Sequence, residues 1–231
     1  MNALDEKLDL LRAGIFTVQE AADLVGIGSR LARAWVAGQK GKQEPIIASQ
    51  LGLVSGQVAI SFTNLMELRF IAAFHKEGVR LEEIRRILDE AREFMNHPHP
   101  ASTKAFFQTD GRKIFGVIDH TNGDIALFDL AARNYAMFPI IQSSLKKDVE
   151  FDPKGNAVLW YPRRTIAPHV IVDPRISFGR PVLKKSMIPA ETLAEAVDAE
   201  GSVQSVADLY EVPVAQVREA IRFHKDLLRA A

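Results

Sequence analysis

The sequence has no cysteine, which removes disulfide scaffolding, thiolate zinc sites and cysteine nucleophiles together. It also has no apolar run near the roughly 18 residues that span a bilayer. Met1 to Arg12, with Asp5, Glu6 and Asp9, does not follow the order of a signal peptide. A cytoplasmic protein without a membrane partner is expected. Neither Gly-x-x-x-x-Gly-Lys nor Gly-x-Gly-x-x-Gly occurs, so no phosphate cradle is signalled. His97-Pro-His99 offers two imidazoles, but no carboxylate or thiolate stands beside them, and a helix stop is the better reading. His120 follows Asp119 with no serine or lysine nucleophile motif nearby. No cofactor, no metal and no catalytic residue is therefore assigned.

A net charge is also missing: 29 basic residues face 29 acidic ones over 231 positions. That balance argues against wholesale polyanion binding, yet it is a sum of unlike blocks. Gly26 to Gln43 holds four bases (Arg30, Arg33, Lys40, Lys42) and no acid. Arg163 to Lys185 holds six bases against Asp173 alone, and Ser186 to Val217 holds six acids and no base. Such blocks are either solvated faces or surfaces for separate partners.

The pattern along the chain predicts an α+β protein in three parts: a winged helix-turn-helix over 1–96, an antiparallel β region over 97–172 and a helical, helix-turn-helix-like domain over 173–231. Thr17-Val-Gln-Glu20 reads as a capping box that opens a helix through Leu24. Gly26 breaks it, and Ser29 is placed to cap a second helix to about Val36. Pro45 to Ala48 and Val58 to Ser61 read as a small hairpin or wing. Asn64 to Glu77 is helical and apolar on most sides; Leu81 to Met95 keeps a clean helical stripe, with Glu82, Glu83, Arg85 and Arg86 on its wet face. Pro98 and Pro100 forbid continuation. Strands are then expected over Lys104 to Thr109 and Arg112 to Asp119 around Asp110-Gly111. Others are expected at Ile125 to Leu130 after Asn122-Gly123, and at Asp148 to Phe151 and Ala157 to Tyr161 around Pro153 to Asn156. Helices return over Glu191 to Asp198, Ser202 to Tyr210 and Val214 to Leu228. Trp160-Tyr161-Pro162, ahead of Arg163 and Arg164, reads as a core strand end with a solvated basic tail; stacking on bases is the competing reading.

The two ends repeat. With Thr17 set against Ser202 the alignment runs without a gap, pairing Val18 with Val203, Gln19 with Gln204, Ala22 with Ala207, Asp23 with Asp208, Leu24 with Leu209 and Arg33 with Arg218. A capped helix, tight turn and second helix impose part of this on any sequence. Residues 202–231 hold four bases and four acids, so the first unit is the better candidate for neutralising DNA phosphates. In a helix-turn-helix the start of the second helix enters the major groove, which nominates Ser29, Arg30 and Arg33 for the bases, and Lys40 and Lys42 for phosphates. A helical pair used for protein contact competes with this reading.

Phe16 to Ile27, Arg33-Ala-Trp35, Leu65 to Ile71 and Glu77 to Ile84 resemble the MerR-type winged helix-turn-helix over roughly residues 15–95. The likeness stops where His97 and the prolines end the helix that such regulators use to dimerise. Asp173-Pro174, Ile176, Phe178 to Val182, Ile188-Pro189 and the tail from Ser202 to Phe223 are similar to the domain of unknown function 433; Lys185-Ser-Met187 stands where that family often has Gly-Thr-Arg. The whole order resembles VapB-type antitoxins. That resemblance implies a DNA-binding antitoxin that represses its own operon and neutralises a PIN-domain ribonuclease toxin; a homodimer or larger assembly is expected because helix-turn-helix readers commonly bind two half-sites.

Such a toxin holds metals with carboxylates and gathers RNA on basic surface, so an inhibitor can offer it an arginine or an acidic face. Arg175 and Arg180 lie in a Pro- and Gly-rich loop suited to the first, and are nominated for toxin binding; anchoring of the loop on the domain's own carboxylates is the competing reading. A MerR-like regulator without a toxin, and an enzyme acting on nucleic acid, stay open as alternatives.

Overall fold

The computed structural model describes residues 13–38, 44–108, 143 and 145–230. Lys40, Lys42, His120, the turns at Asp110-Gly111 and Asn122-Gly123 and the strands expected over 112–119 and 125–130 lie outside them. The fold is mixed α+β, with small antiparallel sheets and a helical C-terminal region. No helix among the described residues is long and apolar enough to cross a membrane. The chain divides into two compact units, Met1–Leu65 with Val158–Ala231, and Met66–Ala157.

In the first unit, β1 (Phe16–Thr17) leads into α1 (Val18–Val25). The capping box forms: the Glu20 amide donates to Thr17 Oγ1 at 3.1 Å, and the Thr17 amide donates to Glu20 Oε2 at 2.7 Å. Gly26, left-handed at φ 79°, ends α1, and the Ile27 amide returns to the Ala22 carbonyl. α2 (Ser29–Ala37) follows, but its cap is Gly28, and Ser29 is already the first helical residue. Val18, Ala21, Ala22 and Leu24 of α1 and Ala32, Trp35 and Val36 of α2 form the buried faces.

Pro45 to Ala48 is not a strand. The Ile46 and Ile47 amides both donate to the Trp35 carbonyl, an orphan acceptor at the end of α2. The hairpin instead joins β2 (Leu53–Val54) and β3 (Gln57–Ile60). Ser55 and Gly56 both have positive φ, the two-residue turn that matches strand twist. β3 lies between β1 and β2 in an antiparallel sheet.

α3 (Phe62–Lys76) begins at Ser61, whose hydroxyl accepts the Asn64 amide. It is buried on most sides, as its composition requires. α4 (Leu81–Met95) ends at Asn96 in left-handed geometry, before the prolines act. Glu83, expected on its wet face, is buried and pairs with Arg80. In the second unit, Phe70 stacks near Phe74 and meets Phe106 edge-on at 5.1 Å, and Phe107 adjoins Phe151. The strand expected from Lys104 is replaced by a 3-10 turn over Phe106–Gln108. Phe106 and Phe107 are both buried, and the 3-10 turn lets both rings enter the core without a covering layer on two strand faces. β4 (Val149–Phe151) and β5 (Ala157–Trp160) form the expected hairpin, with Asp152 Oδ1 accepting the Asn156 amide.

The C-terminal part returns to the first unit. β6 (Val170–Ile171) pairs antiparallel with β7 (Val182–Leu183), and Leu159, Tyr161, Ile171 and Val182 form a cluster joined by Ile176. α5 (Ala190–Glu200), α6 (Val203–Leu209) and α7 (Val214–Ala230) pack on one another, and α7 also packs on α1.

Candidate functional site

The terminal repeat is a structural one. Ser202 Oγ accepts the Ser205 amide as Thr17 accepts that of Glu20. Gln204 bonds Asp208 as Gln19 bonds Asp23. Glu211 takes the positive φ that Gly26 takes, and the Val212 amide returns to the Ala207 carbonyl as Ile27 does to Ala22. Both second helices open at corresponding residues, Ser29 and Val214.

On α2, Arg30 and Arg33 are exposed and Ser29 is half-buried. Spaced three apart, the two arginines share a face, opposite the buried Ala32 and Trp35. Among the described residues neither has a hydrogen-bond or ion-pair partner, so both are available to an outside anion.

Arg163 has a different fate from the solvated tail its sequence position predicted. Its guanidinium donates to the Leu24 and Asp23 carbonyls at 2.7 and 3.2 Å, two orphan acceptors at the end of α1, and pairs with Asp226 on α7. It thereby ties the first helix pair to the last helix. Trp160 and Tyr161 are buried, with Arg164 over the Tyr161 ring at 4.0 Å. Stacking on bases by these two rings is excluded by that burial.

The loop before β7 is built around two constraints. Asp173, buried, takes the Arg175 amide and its Nε on Oδ1 and its terminal nitrogen on Oδ2 at 2.6 Å. This is the fork geometry in which an arginine is most firmly held. Ser177, Phe178 and Gly179 then have positive φ in succession. The Ile15 amide donates to the Phe178 carbonyl, and Gly179 lies so close to Phe16 that a Cβ there would sit 2.5 Å from the ring. This docking turns Phe178 and Arg180 outward, and Phe178 is 55% exposed. Among the described residues Arg180 has no ion-pair partner. It borders a groove of about 200 Å³ with an apolar floor that includes Phe16, Leu24 and Phe223, and with Glu20, Asp23 and Glu191 on its rim. Burial raises the Asp23 carboxyl above its ordinary value; the Gln19 hydrogen bond opposes this, and Glu20 adds to it.

The histidine motif is quieter. His99 Nδ1 lies 2.9 Å from Glu67, a buried carboxylate 32 residues away in sequence. No group of three or more potential metal ligands forms among the described residues.

Residues 170–224 match the family described as "Protein of unknown function (DUF433)". Over 234 residues, 94% of this chain and 97% of the relative, the chain is 23% identical to the Mycobacterium tuberculosis protein named "Putative antitoxin VapB45". Among solved structures, the crystal structure of Rv2018 from the same organism superposes with a TM-score of 0.73 at 23% identity, over 89% of this chain and 96% of that one. At that identity the superposition speaks for the fold. The chain therefore carries a DUF433 domain at its C-terminal end and is, over nearly its whole length, a distant relative of a protein named as an antitoxin.

Proposed function

We propose that this chain is the antitoxin of a type II toxin–antitoxin pair: a non-enzymatic, cytoplasmic, DNA-binding protein that neutralises a PIN-domain ribonuclease and represses its own operon. The observation that carries the reading is the near-full-length likeness to an antitoxin-named protein, including the DUF433 match. In this reading residues 1–96 form a winged helix-turn-helix that reads operator DNA, 97–172 form the β region between, and 173–231 form the helical antitoxin-type domain that carries the toxin-binding loop. Ser29, Arg30 and Arg33 meet the duplex, with Lys40 and Lys42 on its phosphates. A homodimer or larger assembly follows from the two half-sites such readers use.

Toxin contact is assigned to the 173–180 loop. Arg175 spends its fork on Asp173 and sets the loop, while Arg180, beyond the strained turn, supplies the reach toward a carboxylate cluster. The test is co-expression with the product of the neighbouring reading frame, followed by co-purification and a ribonuclease assay. Expected is a stable complex in which RNA cleavage is suppressed at equimolar chain. A neighbouring ribonuclease that stays fully active overturns the antitoxin reading and favours a regulator without a toxin; RNA or DNA turnover by the purified chain alone favours an enzyme.

A further inference from the structure

The even count of acids and bases in the last helix pair does not survive into three dimensions. Arg218, Arg222, Lys225 and Arg229 follow at steps of four, three and four along α7, and all four are exposed. That spacing places them on one stripe. The two acids of α7 are spent elsewhere. Glu219 is buried and accepts both the amide and the Nδ1 of His169. Asp226 pairs with Arg163. Asp208, on α6, is held by Gln204, and Glu211, the fourth acid, stands exposed in the turn before α7 and not on it. Among the described residues the four cations have one protein acceptor between them, the Ile166 carbonyl, at 3.3 Å from Arg222.

We infer that this face of α7 is a second phosphate-binding surface for duplex DNA, so that both helix pairs of one chain engage the duplex. The inference rests on the DNA-binding reading above and extends it to residues which that reading leaves idle. Two observations favour this occupant. First, α6 and α7 repeat the caps, turn and register of α1 and α2, with Arg218 at the position of Arg33. Second, the stripe is cationic at every step over about 16 Å of helix, the rise of about five base pairs. The four stripe positions carry no aromatic or large apolar residue; the exposed Leu228 lies beside the stripe, not within it. A protein interface would need such an anchor at its core, and a single-stranded nucleic acid would need rings to stack on.

The experiment is a salt titration of binding, read by fluorescence anisotropy, with a labelled duplex taken from upstream of the protein's own reading frame. It compares the wild type with R218Q/R222Q/K225Q/R229Q and with the charge-keeping R218K/R222K/R229K. Each neutralised phosphate contributes about 0.9 to the slope of log affinity against log salt. The glutamine variant should therefore bind at least about tenfold more weakly at low salt, with a slope lower by roughly 3.6, and the lysine variant should keep the wild-type slope. All four residues are exposed, so circular dichroism and melting should match the wild type. A glutamine variant with the wild-type slope and affinity overturns the inference. So does one that keeps the DNA slope but loses toxin or another acidic protein, because the stripe is then a protein dock. Failure of the wild-type chain to bind the duplex at any salt is a different result, and it removes the DNA-binding reading itself.

Discussion

Replacing Gly179 with alanine tests whether the DUF433 loop is fixed by its seat on β1. Two costs are visible. The backbone at φ 91° is one that a side chain adopts only under strain, about 1–2 kcal/mol for alanine. The new Cβ would meet Phe16 Cζ at 2.5 Å and both Cε atoms at 3.1 Å; moving a packed ring adds about 1–3 kcal/mol. Together about 2–5 kcal/mol is expected, or roughly 4–20 °C of melting midpoint for a chain of this size. The assay is thermal unfolding by circular dichroism of G179A, F16L and the double variant. Phe16→Leu removes the ring edge, so only the backbone cost should remain when G179A is added to it, a coupling of about 1–3 kcal/mol. Equal cost of G179A in both backgrounds would refute the packing argument; a shift below about 2 °C for G179A alone would refute both parts.

Arg30→Ala with Arg33→Ala should weaken binding to the upstream duplex and lower its salt slope by roughly 2; unchanged binding would move the DNA contact off α2. Arg180→Ala should reduce inhibition of the co-purified ribonuclease at least about tenfold, the loss of one charge-assisted contact of about 1.5–3 kcal/mol, while Arg175→Ala should lower the melting midpoint as well, because it releases Asp173. Equal inhibition by wild type and R180A removes Arg180 from the contact. Thr17→Ala breaks the capping box and should cost about 1 kcal/mol, measurable by urea unfolding; no change in midpoint would mean that packing alone holds α1. At Asp23 the folded state raises the carboxyl, so its ionised form costs stability at neutral pH, and that cost fades as pH falls through the raised value toward the ordinary 3.8. Asp23→Asn should therefore melt above wild type at pH 7, with the gap closing on acidification; a gap that widens would contradict the burial argument.

What was legible in the sequence was mostly local. The capping box at Thr17, the break at Gly26 and the register shared by the terminal helix pairs all depend on residues a few positions apart, and all appear in the structure. The misplacements have distant or competing causes. Pro45 to Ala48 looks like a strand until the Trp35 carbonyl claims the Ile46 and Ile47 amides. The segment from Lys104 looks like a strand until Phe106 and Phe107 are both required in one core. Ser29 yields its capping place to Gly28, one residue earlier. The outward placement of Arg30 and Arg33 was legible from the helical spacing, and Arg180 too is exposed. Charge bookkeeping was not legible, because Glu219 is engaged by the amide and ring of a residue 50 positions away and Asp226 is paired with an arginine 63 away. Counting along the chain could not separate acids that shape the surface from acids that hold it together.

Arg163 sets a rule for how this architecture can be rearranged. Its guanidinium closes the last carbonyls of α1 while its charge is balanced from α7, so the first helix of the pair ends on a group supplied from 139 residues downstream. The first helix pair grafted onto another scaffold would leave those carbonyls open, and the chain from Val158 onward expressed alone would keep the guanidinium on Asp226 and the Pro162 carbonyl but without its two helix-end acceptors. Exchange of the outward residues of α2 between relatives should thus leave the fold intact, whereas transplanting the helix pair whole without its arginine should destabilise it.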